Sequence, residues 1–200
     1  MLKIGITGCM GSGKSTVSKI FMQLGIPLYD ADSRAKQLMI ESPSLVSKIK
    51  SIFGAEAYTK DGMLDRSLLS AKAFSDQQLL TKLNDAVHPA VYTDFNEWVI
   101  KQTSPYVIKE AALMYESASY KQLDKIIVVT APEELRINRS MQRDNATRES
   151  VLKRMKNQWP ENEKRKLAQL EIVNDEQQLV IPQIIKIHKE LLLASYFISI

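Results

Sequence analysis

The stretch Leu2-Lys3-Ile4-Gly5-Ile6-Thr7-Gly8-Cys9-Met10-Gly11-Ser12-Gly13-Lys14-Ser15-Thr16 decides the fold of this 200-residue chain. A β-rich run, Leu2 to Thr7, meets three glycines and then Lys14-Ser15-Thr16, after which a helical pattern runs from Ser15 to Met22. Gly8 to Ser15 fits G-x-x-x-x-G-K-[ST] in full, placed after a strand and before a helix as its mechanism requires. The glycines allow a tight turn whose backbone N–H groups face inward as a nest for phosphate oxygens. The following helix adds roughly half an elementary charge at its amino end. Lys14 has the reach for the β- and γ-phosphates, and the Ser15 hydroxyl suits a Mg²⁺ ion. Gly8, Cys9, Met10, Gly11, Ser12, Gly13, Lys14, Ser15 and Thr16 are therefore the candidate ATP-binding residues, with Ser15 the candidate metal ligand. Cys9 reads as a small filler, since nothing in the sequence nominates a base to activate it.

Outward from this loop, further β-rich runs occur at 26–29, 106–108, 125–130 and 171–173, with helical periodicity between them. Such alternation predicts an α/β fold with helices wrapped on a parallel sheet of about five strands, three layers in all, of the phosphate-loop NTPase kind. Ile126-Ile127-Val128-Val129-Thr130 is apolar enough for a strand buried on both faces. Gly25-Ile26-Pro27 predicts the end of the first helix and the start of the second strand. The gap from Asp30 to Ser104 is too long for a simple crossover, so it predicts an inserted helical subdomain. Its helices are expected at 35–40, 45–53, 66–74, 77–87 and 90–101, with a break at His88-Pro89. The expected division is a nucleotide-binding core at 1–30, 105–138 and 168–200, a helical acceptor-binding insertion at 31–104, and a basic lid at 139–167. A last helix, near 176–193, repeats apolar residues at Val180, Ile184, Ile187 and Leu191.

Composition is that of an ordinary soluble globular protein. One cysteine excludes an internal disulfide framework and suits a reducing, cytoplasmic compartment. No apolar run approaches the roughly 20 residues of a membrane span. The net charge is +4 with a pI near 9.0, and the segment 140–170 holds eight basic residues against four acidic ones, an excess of 8 − 4 = 4 that equals the whole chain's. That segment reads either as a solvated helical face or as a surface for anions. It lacks the interleaved aromatics of a stacking platform, Trp159 standing alone, so no nucleic-acid partner is expected. The guanine-reading NKxD, a DxxG and an LSGGQ signature are all absent. A small phosphotransferase remains as the main reading, a nucleoside or nucleotide kinase of the same fold as the alternative, and an ATP-dependent RNA-binding switch as a third.

Asp30-Ala31-Asp32 follows the second strand and so belongs at the crevice of the phosphate loop. A carboxylate there is suited to accept the proton of an attacking hydroxyl, and we read Asp30 as general base of an in-line transfer. Asp32 serves equally as an acceptor contact or as the N-cap of a helix starting near Ser33. Arg136, Arg139 and Arg143 share one helical face, where like charges repel and call for an anion. Glu133 is one partner for Arg136. Arg139 and Arg143 head the basic segment, and an arginine on the transferring phosphoryl group is worth ~10³ to 10⁵ in rate. With Lys14 and Asp30 they form the candidate catalytic set.

Taken together, GITGCMGSGKST, IPLYDAD, DGMLDRSLL, LNDAVHPAV, IKEAALMYES, KIIVVTAPEELRINRSMQRD and IVND resemble the dephospho-coenzyme A kinase family in order and spacing along the whole chain. The resemblance implies ATP-dependent phosphorylation of the ribose 3′-hydroxyl of dephospho-CoA, the last step of coenzyme A biosynthesis, with ATP and Mg²⁺. It implies that the insertion grips the acceptor, that Asp30, Asp32, Lys36, His88 and Glu116 face it, that the segment from Arg139 to Trp159 is the lid, and that Asn174 lies near the adenine. Arg34, with Lys36, flanks the acceptor crevice as a candidate for its phosphates and has a surface role as its alternative, while His88 has a packed or capping role and Asn174 plain turn chemistry as theirs. A monomer or weak homo-oligomer acting on a small-molecule substrate is expected. The chain departs from the family's Pro-Leu-Leu-Phe-Glu with Ala112-Leu113-Met114-Tyr115-Glu116, which makes the backbone there less rigid. Glu110 stands where an aspartate is common and is a candidate for the water shell of Mg²⁺.

Overall fold

The computed structural model describes residues 1–198; the last two positions of the 168–200 stretch lie outside the described residues. In chain order the elements are β1 (Leu2–Thr7), α1 (Lys14–Gln23), β2 (Leu28–Asp30), α2 (Ala31–Glu41), α3 (Pro43–Phe53), α4 (Arg66–Ser75), α5 (Gln77–Ile100), β3 (Tyr106–Glu110), β4 (Lys125–Thr130), α6 (Glu133–Asp144), α7 (Arg148–Met155), α8 (Glu161–Leu167), β5 (Leu170–Val173) and α9 (Val180–Ile198). They form two compact units, one of Met1–Asp30 with the chain from Gln102 onward, the other of Ala31–Lys101.

The first unit is built on a five-stranded sheet in the order β2-β3-β1-β4-β5, every neighbouring pair parallel. Parallel strands need covering on both faces, and the apolar runs of β1, β3 and β4 are buried along nearly their whole length. On one face Ile4, Ile6, Ile108 and Ile127 meet Val17 and Phe21 of α1 and Ile184 and Leu191 of α9. Each such side chain contributes about 1.5–3 kcal/mol when fully buried. On the other, α8 packs on β4 and Met114 crowds Gly5 of β1. The result is the expected three-layer α/β architecture. Helix α1 stops where the glycine said it would. Gly25 takes φ 83°, its N–H donates to the Met22 carbonyl at 3.0 Å and the Ile26 N–H to the Phe21 carbonyl at 3.2 Å, a Schellman ending.

The second unit is helical. Three of its helices start on side-chain caps: Ser42 Oγ accepts from Leu45 N, Asp65 Oδ1 from Leu68 N, and Asp76 Oδ1 from Gln78 N. Two expectations need correcting. Helix α2 begins at Ala31, so Asp32 lies in its first turn, where its charge complements the helix dipole, and is not its N-cap. The break expected at His88-Pro89 does not occur: α5 runs through Pro89 for 24 residues. Proline inside a helix costs ~3 kcal/mol. Val87, Val91, Phe95 and Val99 form one buried stripe on α5, which packs along α2, α3 and α4. Four side chains at about 1.5–3 kcal/mol each outweigh the proline.

Candidate active site

The loop after β1 is a turn closed by the Ser12 N–H on the Cys9 carbonyl at 3.1 Å. Gly11 sits at its third position with φ 80°, the left-handed conformation a type II turn demands there. A Cβ on Gly11 would collide with the Arg136 carbonyl, so the turn lies flush against the start of α6. Helix α1 then begins at Lys14, and no side chain caps it. The Thr16 and Val17 N–H groups donate to the Gly13 carbonyl at 3.0 and 3.1 Å, and the amides that precede them have no acceptor within the helix, which makes this end suited to an anion. Asn174, just past β5, supports the loop from the other side: its Nδ2 donates to the Ser12 carbonyl at 2.8 Å. Arg139 of α6 in turn donates to the Asn174 carbonyl at 3.1 Å and to Glu176 at 3.0 Å. Arg139, Asn174 and the phosphate loop thus form one connected group.

A carboxylate pair stands beside the first turn of α1. Ser15 Oγ donates to Glu110 Oε1 at 2.6 Å, and Glu110 ends β3 in register with Asp30, which ends β2. Adjacent parallel strands lie about 4.8 Å apart, so the two residues are cross-strand neighbours at the carboxyl ends of β2 and β3. Glu110 is buried and Asp30 exposed. A hydroxyl that gives its proton to Glu110 keeps its lone pairs for a cation. Ser15, Glu110 and Asp30 offer only hard oxygen atoms, the donor set that suits Mg²⁺. Among the described residues no group of three or more His, Cys, Asp or Glu could hold a metal; this set fits an ion that takes most of its ligands from phosphate and water.

The basic segment behaves differently from a uniform charged face. Arg136 does not pair with Glu133. It is buried, with Nε donating to the Ala131 carbonyl at 2.9 Å and facing Glu161 at 3.4 Å, because the fold brings α8 against the start of α6. Arg143 and Arg154 both grip Asp144, at 2.7 and 2.6 Å, and those hydrogen bonds hold its carboxyl well below the usual carboxylate range. Arg148 pairs with Glu134, Arg165 with Glu171 and Lys166 with Glu163. Lys164 is fully buried: its Nζ donates to the Ala112 carbonyl at 2.9 Å and meets Glu116 Oε1 at 2.8 Å. At least six of the eight basic side chains of 140–170 are therefore paired with carboxylates of the same chain.

Glu116 also accepts from the Trp159 N–H at 2.7 Å, and Trp159 stacks on Tyr115 with ring centroids 6.1 Å apart. Met10 N donates to Gln158 Oε1 at 2.7 Å, and the Cys9 thiol points at the Trp159 carbonyl. Burial pushes that thiol's pKa up, which agrees with a filler. Gln158 and Lys164 were not singled out by the sequence. A single glutamine carries no motif, and Lys164 was counted as one more surface charge. A cleft of about 1000 Å³ opens alongside, walled by Cys9, Arg136, Met155, Trp159 and Glu161.

In the helical unit, Asp32 and Lys36 lie four residues apart on exposed positions of α2, and His88 is exposed on α5, one residue before Pro89. Arg34 is clamped by Asp94, with Nε to Oδ2 at 3.0 Å and Nη2 to Oδ1 at 2.6 Å. It braces α2 on α5.

Comparison with known proteins narrows what this phosphate loop serves. The family model described as dephospho-CoA kinase matches residues 2–179. Dephospho-CoA kinase of Porphyromonas gingivalis is 39% identical over 188 residues, 94% of this chain and 93% of that protein. The crystal structure of a Thermus thermophilus protein superposes with a TM-score of 0.83 at 33% identity, over 96% of this chain and 97% of the other. Dephospho-CoA kinase of Campylobacter jejuni does so with a TM-score of 0.71 at 27% identity, over 96% and 98%. The family match runs over nearly the whole chain, and on it the chain belongs to the dephospho-CoA kinase family.

Proposed function

We propose that the chain moves the γ-phosphoryl group of ATP to the ribose 3′-hydroxyl of dephospho-CoA by in-line transfer, with Asp30 as general base. The observation that carries this reading is the line from Ser15 through Glu110 to Asp30: it sets a carboxylate beside the cradle that receives the phosphates. Asp30 accepts the proton of the attacking hydroxyl and orients its oxygen. The N–H groups at the start of α1 and the Lys14 ammonium hold the β- and γ-phosphates. Ser15, supported by Glu110, would hold Mg²⁺, with Asp30 at its border. When bound, that ion neutralises charge on the phosphates.

Arg139 already stands against the loop through Asn174, and its guanidinium is the group we assign to the transferring phosphoryl. Arg143 needs to exchange Asp144 for phosphate before it assists, which makes it a residue of the closing lid. Asp32, Lys36 and His88 are assigned to the acceptor in the helical unit. Glu116, whose Oε1 is taken by Lys164 and Trp159, is assigned to the acceptor through its remaining oxygen, Oε2.

The test is turnover with ATP, Mg²⁺ and dephospho-CoA, followed as ADP and CoA. Wild-type protein turns over, and Asp30→Asn loses ~10² or more in kcat while keeping its fold, the scale of general-base help. Near-wild-type turnover in Asp30→Asn removes the base assignment. Preference for a free nucleoside over dephospho-CoA removes the acceptor.

A further inference from the structure

The segment from Gln158 to Lys164 touches three strand-end loops at once. It meets the phosphate loop at the Met10 amide and the Cys9 thiol, the turn after β3 at Glu116 and the Ala112 carbonyl, and the turn after β4, where Glu161 Oε2 accepts from Ala131 N at 3.3 Å and faces Arg136. A stretch read from sequence as part of a mobile basic lid is thus pinned to the floor of the site at its carboxyl end.

We propose that Gln158 is a positioning residue for phosphoryl transfer, fixing the conformation of the phosphate loop by holding its Met10 N–H. The argument is one of hydrogen-bond accounting. Of the amides in the turn Cys9–Ser12, that of Ser12 is spent on the Cys9 carbonyl and that of Met10 on Gln158, at 3.1 and 2.7 Å. Both bonds act on the half of the loop that precedes Gly13, and they fix the peptide planes leading into the anion nest. Without an acceptor at Met10, the Cys9–Met10 peptide is free to rotate its N–H inward or outward, and the nest must be ordered when ATP arrives. Such ordering lowers affinity for the nucleotide and leaves the acceptor untouched. Gln158 itself is held by its neighbours. Trp159 is gripped through its N–H by Glu116 and stacked on Tyr115, and Glu116 is held by the buried Lys164. Gln158 touches no phosphate in this scheme; it acts through the loop.

The proposal rests on ATP phosphates occupying the Gly8–Thr16 loop. Its test is steady-state kinetics of Gln158→Leu, with thermal melting, beside amide hydrogen exchange of the ligand-free wild type. The expected result is a rise of about tenfold in KM for ATP, the scale of one unsatisfied hydrogen bond, with KM for dephospho-CoA within twofold and the melting temperature little changed. A purely structural role would lower the active fraction and the melting temperature and leave KM for ATP alone. An unchanged KM for ATP in folded Gln158→Leu overturns the proposal. Independently of any variant, slow exchange at the Met10 amide supports it, and exchange there as fast as in an open loop overturns it. Lys14→Ala in parallel separates the two claims. Unchanged ATP affinity in Lys14→Ala removes the phosphate-loop reading and this proposal with it. Loss of affinity there, beside an unaffected Gln158→Leu, overturns this proposal alone.

Discussion

At the scale of single residues, Gly11 carries a requirement no other side chain meets. Its φ of 80° and its fit against the Arg136 carbonyl both exclude a Cβ. The left-handed conformation alone costs an L-residue roughly 1–2 kcal/mol, and the collision adds to it because backbone cannot swing aside. Gly11→Ala is expected to lower the urea midpoint and to weaken ATP binding together, checked by denaturation and by nucleotide titration. Lys109 makes a second residue-scale prediction. It is 1% exposed on β3, and burial pushes its pKa down to about 8 from the usual 10.5. Between those values the unfolded chain binds the proton and the folded one does not, so this group adds stability as pH rises from about 8 toward 10. Wild type should gain more unfolding free energy over that interval than Lys109→Met; equal pH profiles would remove the burial effect. The strand–turn–helix form of the Gly8–Thr16 loop was legible in sequence, because glycines, lysine and hydroxyl at fixed spacing mark it. Gln158 was not, since a glutamine acquires meaning only from the amide it faces.

At the scale of elements, α8 is fastened by ion pairs, and that of Lys164 with Glu116 is the more deeply buried on its lysine side. Lys164 leaves the solvent completely, and Glu116, whose Oε2 has no hydrogen-bond partner, is largely buried with it. Removing one partner strands the other charge, a loss of about 3–5 kcal/mol for buried pairs. Lys164→Met should therefore destabilise strongly, while the double change Lys164→Met with Glu116→Leu recovers much of the loss by removing both charges. Chemical denaturation of the three proteins measures the coupling, and additive losses would deny it. Elements were read well where periodicity and capping agree, as in β1, α1 and β4. The run through Pro89 was misread because local propensity opposes it and the buried stripe that overrides it spans both sides of the proline. Lys164 was read as one more charge of a solvated face, and Arg136 was given its sequence neighbour Glu133, because only the fold brings in the carboxylates from distant segments, Glu116 and Glu161.

At the scale of the whole chain, the sequence carried the alternation of strands and helices and the long insertion after β2, but the order β2-β3-β1-β4-β5 came from coordinates, since nothing local tells a strand which neighbours flank it. That order sets β1 in the middle, with a strand on each side and helices over both faces. The nucleotide cradle hangs from the end of this innermost strand. Freeing β1 would dismantle that loop outright, while shedding the outer strand β5 would take away the Asn174 side chain that holds the Ser12 carbonyl. Loss of nucleotide binding along a denaturant series is accordingly expected to track the freeing of β1 from β3 and β4, so that occupancy by nucleotide doubles as a report on the integrity of the interior.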